Sequence, residues 1–483
     1  MTPAPNNGAA LQRGPALSAV AMPRGRRGPE LAMLGFAVAI MAAAYVSTGL
    51  GLSGHVPAGL VTYVLGFAVL MVGAHVAVRR LAPWADPLML PLAAVLNGLG
   101  VVMIYRLQEA GRNGNAGPPG GPIVTLTSHA ALYQLMYTAL GIVAFVVVLA
   151  VIREARVLQR YTYTLGTIGV ILLAIPAALP SSLSSVNGAK VWIILGGFSI
   201  QPGEFARILL AVFFAGYLVR KRDVLSLAGR RFLGIDLPRG RDLGPILTLW
   251  ALAMLILVFE SDIGTSALFF GLFVAMLYIA TQRKSWLLMG LGMFLAGALI
   301  AGAIIPHVHE RFAIWLDPFS VANIQGSSYQ LVQGMEGMAY GGVLGTGLGQ
   351  GQPYITPLAQ SDFIFTAFGE ELGLTGLMAL LLIFGLLSQR GLRAAIAVRD
   401  PFSKLLAGGL AFVLALQVFI IVGGVTQVIP LTGITTPFMS QGGSSLIASW
   451  IVIALLMRIS DSARRPAPQP IQDEGMTQVV RAG

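Results

Sequence analysis

Gly351 to Gly376 reads GQPYITPLAQSDFIFTAFGEELGLTG, a polar, glycine-bearing loop that runs directly into an apolar helix. Asp362 stands at the junction, and Glu370 and Glu371 follow inside the apolar run. A carboxylate at a membrane boundary keeps its water, but one at hydrocarbon depth costs roughly 2.5–3.5 kcal/mol on insertion scales. Three of them between residues 362 and 371 therefore need partners or a task. Two explanations are open on local grounds. Asp362 is an N-cap followed by a buried polar pair that glues helices together, or the three mark a functional site. In helical register Glu370, eight residues on, is rotated by about 80° and sunk by about 12 Å, so it and Asp362 can edge one cavity. Glu371 points nearly opposite Asp362 and is assigned to packing.

Composition decides the solvent. Of 483 residues, 56% are hydrophobic and only 11% charged, with a mean hydropathy of +0.78. A soluble domain of that balance could not cover its surface with polar groups, so the chain is expected to be an all-α polytopic membrane protein. There is no cysteine, hence no disulfide framework and no thiolate metal site. The net charge of +11 is read as lysine and arginine held on the cytoplasmic face rather than as a nucleic-acid footprint. The apolar run after Arg27 is too long for a cleaved signal peptide.

Residues 1–29, rich in Pro, Gly, Ala and Arg, read as a disordered cytoplasmic tail. Membrane-length apolar runs follow at 30–53, 56–78, 86–106, 131–152, 161–180, 203–220, 243–260, 263–281, 285–306, 362–389, 404–429 and 442–460. Twelve spans put both termini on one side. With that side cytoplasmic, 26 of the 31 basic residues fall inside, and only Arg106, Arg112, Lys190, Arg207 and Arg311 fall outside. The outer segment from His307 to Ser361, between spans nine and ten, is far longer than an ordinary turn and is expected to pack on the bundle. No soluble domain and no internal repeat stand out.

Several short stretches could carry chemistry. In Gln201-Pro202-Gly203-Glu204-Phe205-Ala206-Arg207, Pro202 suits the first helical turn, and Glu204 and Arg207 can pair at i,i+3. That is either a capped helix with an ion pair or part of a site. Lys190, Arg207 and Arg311 are outer cations that suit an external phosphate, although isolated basic residues also snorkel to lipid headgroups. Asp262 in ESDIGTS reads first as a helix cap. Gly334 to Gly351 holds eight glycines in GMEGMAYGGVLGTGLGQG, lacks the Gly-Lys-Ser/Thr ending of a P-loop, and permits close backbone approach or an anion nest. Thr435 to Ser445 opens the last span with small residues. The five histidines are scattered, so no Ser/His/Asp triad is credible, and His307 with His309 makes only a weak metal pair.

Taken together, GAKVWI at 188–193, QPGEFAR at 201–207, ESDIGTS at 260–266, YQLVQ at 329–333, SDFIFTAFGEELG at 361–373 and TPFMSQGGSS at 436–445 resemble, in order, the motifs of the SEDS family. These are the bacterial membrane glycosyltransferases typified by RodA, FtsW and SpoVE. The resemblance covers roughly 86–460 and implies polymerisation of lipid II into peptidoglycan strands at the outer face of the plasma membrane, with undecaprenyl pyrophosphate leaving. It implies Asp362 as catalytic base and Glu204 as a second functional carboxylate. Lys190, Trp192, Gln201, Arg207, Arg311, Gln330, Gln333, Glu370, Ser440, Gly442, Gly443 and Ser444 are the expected substrate contacts. A divalent cation, Mg or Mn, is a candidate cofactor, and a class B penicillin-binding transpeptidase the expected partner, with membrane lipids but no nucleic acid.

This sequence departs from the family in places. Arg207 stands where lysine is more usual, Val191-Trp192 where Arg-Trp is common, Gln360-Ser361 where histidine and threonine often precede the aspartate, and Gln441 where tyrosine is common. Most members have ten spans, so 30–80 is an extra helix pair before a transmembrane domain at 81–460, with 461–483 a cytoplasmic tail. The extension and the TPFMSQGGSS wording are closer to actinobacterial RodA-like members, active in elongation and shape, than to FtsW-like division polymerases. A flippase or transporter of lipid-linked precursors and a non-catalytic scaffold are the rival readings. Transporters, however, place their charges near the midplane rather than at one boundary.

Overall fold

The computed structural model describes residues 28–112, 129–186, 189–195, 198–226, 230–232, 235–237, 248, 251, 262–320, 323–324 and 326–466. Among them are eleven helices long and apolar enough to cross a membrane. The chain is a polytopic all-α membrane protein. The expected span at 243–260 and both terminal tails lie almost wholly outside the described residues.

The order is α1 (Gly28–Ser53), α2 (Leu60–Leu81), α3 (Met89–Arg112), α4 (Ala130–Val151), α5 (Thr162–Ala178) and a single turn α6 (Ser181–Ser184). Two small antiparallel hairpins follow, β1–β2 (Ser185–Val186, Ala189–Lys190) and β3–β4 (Ile193–Leu195, Phe198–Ile200). After α7 (Pro202–Ser226) and a third hairpin, β5–β6 (Arg230–Phe232, Ile235–Leu237), come α8 (Ile263–Thr281), α9 (Lys284–Ile304) and the shorter α10 (Pro306–Leu316) and α11 (Tyr329–Gly341). The chain closes with α12 (Ile364–Ala397), α13 (Pro401–Val425) and α14 (Gly443–Arg464). The long outer segment thus carries two helices. α12 runs past the expected end at 389, because Arg390 and Arg393 extend a helix whose apolar stretch has already finished.

Burial sorts the helices into layers. α3 and α14 are 83% buried over their apolar windows, whereas α9 is only 11% buried and presents its surface to lipid. Lipid tails offer no hydrophobic contrast, so contacts between spans rest on close packing and a few polar links. Trp450 on α14 donates to Asn97 on α3 at 3.2 Å, and Asn97 donates to Thr138 on α4 at 3.1 Å. Gly141 on α4 makes room for the Trp450 ring.

At one end of the bundle two buried carboxylates gather several segments. Asp461 accepts from the Trp84 amide at 2.7 Å and from Arg465, and Asp86 accepts from Arg464 and lies near Arg390. Arg458 donates to the carbonyls of Leu81 and Leu149. The extra pair α1–α2 is itself joined by Glu30 and His75, whose Oε1 and Nδ1 lie 2.9 Å apart.

At the opposite end α12 is broken. Gly373 has φ +66° and ψ −171°, which a side chain would strain, and the helix changes course there. Backbone groups freed inside a membrane must find partners within the protein. The glycine-rich loop supplies them. The Leu374 and Thr375 amides donate to the Gly342 and Val343 carbonyls, while the Thr346 and Gly347 amides donate to the Glu370 and Glu371 carbonyls, all at 2.9–3.1 Å. The Glu371 carboxylate accepts from the Gly349 amide at 3.1 Å and from Arg106 Nε at 2.7 Å. Arg106 also donates to the Gly351 carbonyl at 2.7 Å. The amides expected to form an anion nest therefore hold this chain's own carboxylate and carbonyls.

Arg106 and Glu371 are both almost fully buried, so removing one strands the other charge. Arg106→Leu should cost about 3–5 kcal/mol, and Arg106→Leu with Glu371→Leu should recover most of it. Thermal unfolding of the three proteins in detergent measures this, and a double variant no more stable than the single one would assign the loss to something other than the stranded carboxylate.

Candidate active site

Asp362 lies in the turn just before α12, not on the helix, so the register argument that paired it with Glu370 does not hold. The Glu370 carboxylate is instead turned to the Gln352 amide, beside Glu371 and Arg106, where it serves the helix break rather than the cavity of Asp362. The assignment of Glu371 to packing stands.

The neighbour of Asp362 is Arg311 on α10. Gly433, at φ +76°, passes between them, and a Cβ added there would lie 3.6 Å from Arg311 Nη2 and 3.9 Å from Asp362 Oδ2. Arg311 is held by its other nitrogens: Nη1 donates to the Leu431 carbonyl at 2.6 Å and Nε to His307 at 3.3 Å. Its remaining nitrogen, Nη2, borders Gly433, and the charges of Arg311 and Asp362 are close enough to act on each other. Burial lowers the Arg311 pKa, and Asp362 and Asp262 push it back up. Asp362 is 8% exposed and its Oδ1 has no hydrogen-bond partner. Burial pushes its carboxyl up to about 6 from the usual 3.8, against a backbone hydrogen bond and Arg311 that pull it down.

A second polar chain stands beside this pair. Glu204, in the first turn of α7, accepts from Arg207 Nη2 at 2.7 Å, and Arg207 Nη1 donates to Gln417 Oε1 on α13 at 2.7 Å. Gln417 Nε2 then donates to the Thr435 carbonyl at 2.8 Å, and Thr435 Oγ1 to Ser445 Oγ at 2.9 Å. Thr435 is two residues from Gly433, so the loop before α14 joins the two groups. Arg207 is buried with both terminal nitrogens engaged, while its Nε has no hydrogen-bond partner. Sequence reading missed Gln417. The signal was present, since it is the lone amide in the apolar run LLAGGLAFVLALQVFIIVGGV.

The TPFMSQGGSS motif works mainly as a clamp on the approach to Asp362. Ser440 Oγ donates to the Ser361 carbonyl at 2.5 Å and accepts from the Thr436 amide, and the Gln441 amide donates to the Gln360 carbonyl at 2.8 Å. Ser444 Oγ accepts from the Gln201 amide at 3.0 Å. Gly442 precedes α14 in an extended backbone, and Gly443 is pressed on the Tyr137 ring of α4, so its smallness serves packing.

Asp262 caps α8 by accepting from the Thr265 amide and hydroxyl at 3.0 and 2.6 Å, as the sequence suggested. With Gln201, Gly203, Val191 and Leu173 it lines a small cavity. Lys190 sits half-buried in β2 opposite Ser185, and the Trp192 amide donates to the Ser184 carbonyl at 3.2 Å. Gln330 reaches the Pro357 carbonyl at 3.0 Å, in the run-in to Asp362. Gln333 pairs with exposed Glu336 on its own helix and is not brought to the site. His307 and His309 point to Arg311 and to the Gly302 carbonyl, so they are not a metal pair. Among the described residues no three His, Cys, Asp or Glu gather as a cation set. Glu204 is held by Arg207, and Asp262 by Thr265.

Residues 87–465 match the FtsW/RodA/SpoVE family model, described as cell cycle protein. Over 441 residues the chain is 49% identical to the peptidoglycan glycosyltransferase RodA of Mycobacterium tuberculosis, spanning 91% of this chain and 92% of that one. It is 48% identical over 442 residues to the RodA of Mycobacterium leprae, with the same coverage. The probable peptidoglycan glycosyltransferase FtsW of Geobacter metallireducens is 29% identical over 381 residues, 78% of this chain and 94% of that one. In fold the chain is similar, with a TM-score of 0.51 at 23% identity, to one from a structure described as the coordination of polymerization and crosslinking by a peptidoglycan synthase complex, covering 84% of this chain and 98% of that one. This chain belongs to the FtsW/RodA/SpoVE family of polytopic membrane proteins.

Because Asp362 holds its proton more tightly in the folded than in the unfolded chain, the stability that proton contributes is complete below about pH 4 and lost as pH rises through about 6. Asp362→Asn cannot ionise. Its melting temperature relative to wild type should therefore climb between pH 4 and pH 7, and an offset that stays flat across that range would mean the carboxyl is solvated.

Proposed function

We infer that this protein is a peptidoglycan glycosyltransferase of the RodA kind, polymerising lipid II at the outer face of a bacterial plasma membrane. The observation that carries the reading is the 49% identity to peptidoglycan glycosyltransferase RodA over nearly the whole of both chains, against 29–30% to the FtsW relatives. The site supports it with a buried carboxylate, one oxygen unpartnered, facing a guanidinium at the end of the bundle.

In the reaction Asp362 takes the proton from the acceptor sugar's 4-hydroxyl as that oxygen attacks the donor's anomeric carbon. The new C–O bond forms as the bond to the lipid pyrophosphate breaks, with inversion. The pyrophosphate departs with the electron pair, and Asp362 releases its proton to water. A carboxyl titrating near 6 is ionised at neutral pH yet more basic than a solvated one, which suits this task. Arg311 and Lys190 offer positive charge to the departing phosphates. Glu204, through Arg207 and Gln417, holds the loop at Thr435 and so fixes where Gly433 passes between Arg311 and Asp362.

A twelve-span layout with both termini cytoplasmic puts 26 of the 31 basic residues on that side, which supports this orientation. The expected partner is a class B penicillin-binding transpeptidase, which would crosslink the strands as they emerge.

The test is lipid II polymerisation by purified protein, with and without the transpeptidase. Wild type should make glycan strands at a rate that rises through pH 6 to a plateau. Asp362→Asn should lose at least a hundredfold in rate while remaining folded, in line with about 10²–10⁴ for a positioned base. Wild-type rates from the Asn variant would remove Asp362 from this role, and well-folded wild type without product under any condition would favour a flippase or scaffold.

A further inference from the structure

We propose that α1 is a positioning element for the polymerase site, with Gly51 as the residue that seats the glycine-rich loop against the broken helix. This rests on the polymerase reading above. α1 lies outside the residues that match the family model, yet its far end meets the core at backbone level. A Cβ on Gly51 would strike the Leu348 carbonyl oxygen and lie 3.1 Å from Gly349 Cα. From the other side, a Cβ on Gly349 would come within 2.5 Å of the Thr48 carbonyl oxygen and 3.2 Å of Gly51 Cα. Neither position has room for a side chain, so the distance between α1 and the loop is set by main chain against main chain.

The loop residue that α1 touches also holds the carboxylate that comes with the break in α12. The Gly349 amide holds one oxygen of Glu371, Arg106 holds the other, and Arg106 also holds the Gly351 carbonyl. The next residue, Gln352, is held through its amide by Glu370. Asp362 is ten residues further on, along a run tied by Gln330 at Pro357 and by Ser440 at Ser361. The run is thus tied at Gln352, Pro357 and Ser361. A side chain at 51 must lift Leu348 and Gly349, release the Gly349 amide from Glu371, and shift the segment that delivers Asp362. Gly51 itself lies far along the chain from every candidate substrate contact, so it acts through the loop.

The test compares full-length wild type with Gly51→Leu, the milder Gly51→Ala, and Gly35→Leu, which changes a glycine of the same helix with open space around it. Polymerisation kinetics, melting temperature and hydrogen exchange of residues 342–352 are read together. Gly51→Leu should lower kcat at least tenfold with KM for lipid II unchanged, and the Thr346, Gly347 and Gly349 amides should exchange faster. Gly51→Ala should fall between, and Gly35→Leu should match wild type. Wild-type turnover and exchange in Gly51→Leu would overturn the proposal, as would an activity loss that merely follows the melting temperature in all variants. If wild type makes no glycan, the polymerase reading and this role fail together; faster exchange in Gly51→Leu would still show that the contact is real, and unchanged exchange that it is not.

Discussion

A backbone broken inside a bilayer has nowhere to turn but the protein, and α12 is broken at Gly373. Two carbonyls and two amides lose their helical partners there, and the glycine-rich loop takes up all four. That exchange needs a loop able to lie flat against a helix, hence glycines. It needs a cation to hold the Glu371 carboxylate that comes with the break, hence Arg106 from α3. The loop so fixed then leads through Gln352 to Asp362. The rigidity of the site is thus inherited from a repair of secondary structure nearby, and the run-in to Asp362 has little freedom of its own.

The two charged groups near the site are satisfied to different degrees, and the difference sorts their roles. Glu204, Arg207, Gln417 and Thr435 form a chain linked end to end by hydrogen bonds, with Arg207 Nε left without a partner. Such a network fixes geometry and has little left to offer a substrate. Asp362 is the contrary case, buried with one oxygen unpartnered and a guanidinium across a glycine. Among the described residues, Asp362 Oδ1 is the buried carboxylate oxygen without a hydrogen-bond partner.

Fold class was legible in composition alone, and the spans in apolar run lengths, because a bilayer imposes a length and a polarity that no other solvent does. The end of α12 was missed since Arg390 and Arg393 prolong a helix after its apolar signal stops. Asp362, Glu204 and Arg311 could be picked out as charges where charge is costly, and Asp262 as a cap from the Thr-bearing turn after it. Beyond the i,i+3 pair of Glu204 and Arg207, which carboxylate meets which cation could not. Arg106 and Glu371 are 265 residues apart in the chain, and a phase argument along one helix cannot see a break at Gly373 or a loop that folds back on it. Gln417 was passed over for a related reason: an amide in an apolar run announces a partner without saying where it is.

The carboxylates Asp86 and Asp461 sit at the other end of the molecule, where they bind α14, α12 and the turn between α2 and α3, while Arg458 adds the ends of α2 and α4. Helices pinned at one end behave as levers. α14 has 22 residues, about 33 Å of helix, so one degree of tilt at the pinned end moves its far end by about 0.6 Å. That far end is where Ser440 meets the approach to Asp362 and where Ser444 and Ser445 meet Gln201 and Thr435. The spacing around Asp362 is accordingly an angular quantity, and a charge change at the pinned end acts on it across the whole thickness of the membrane.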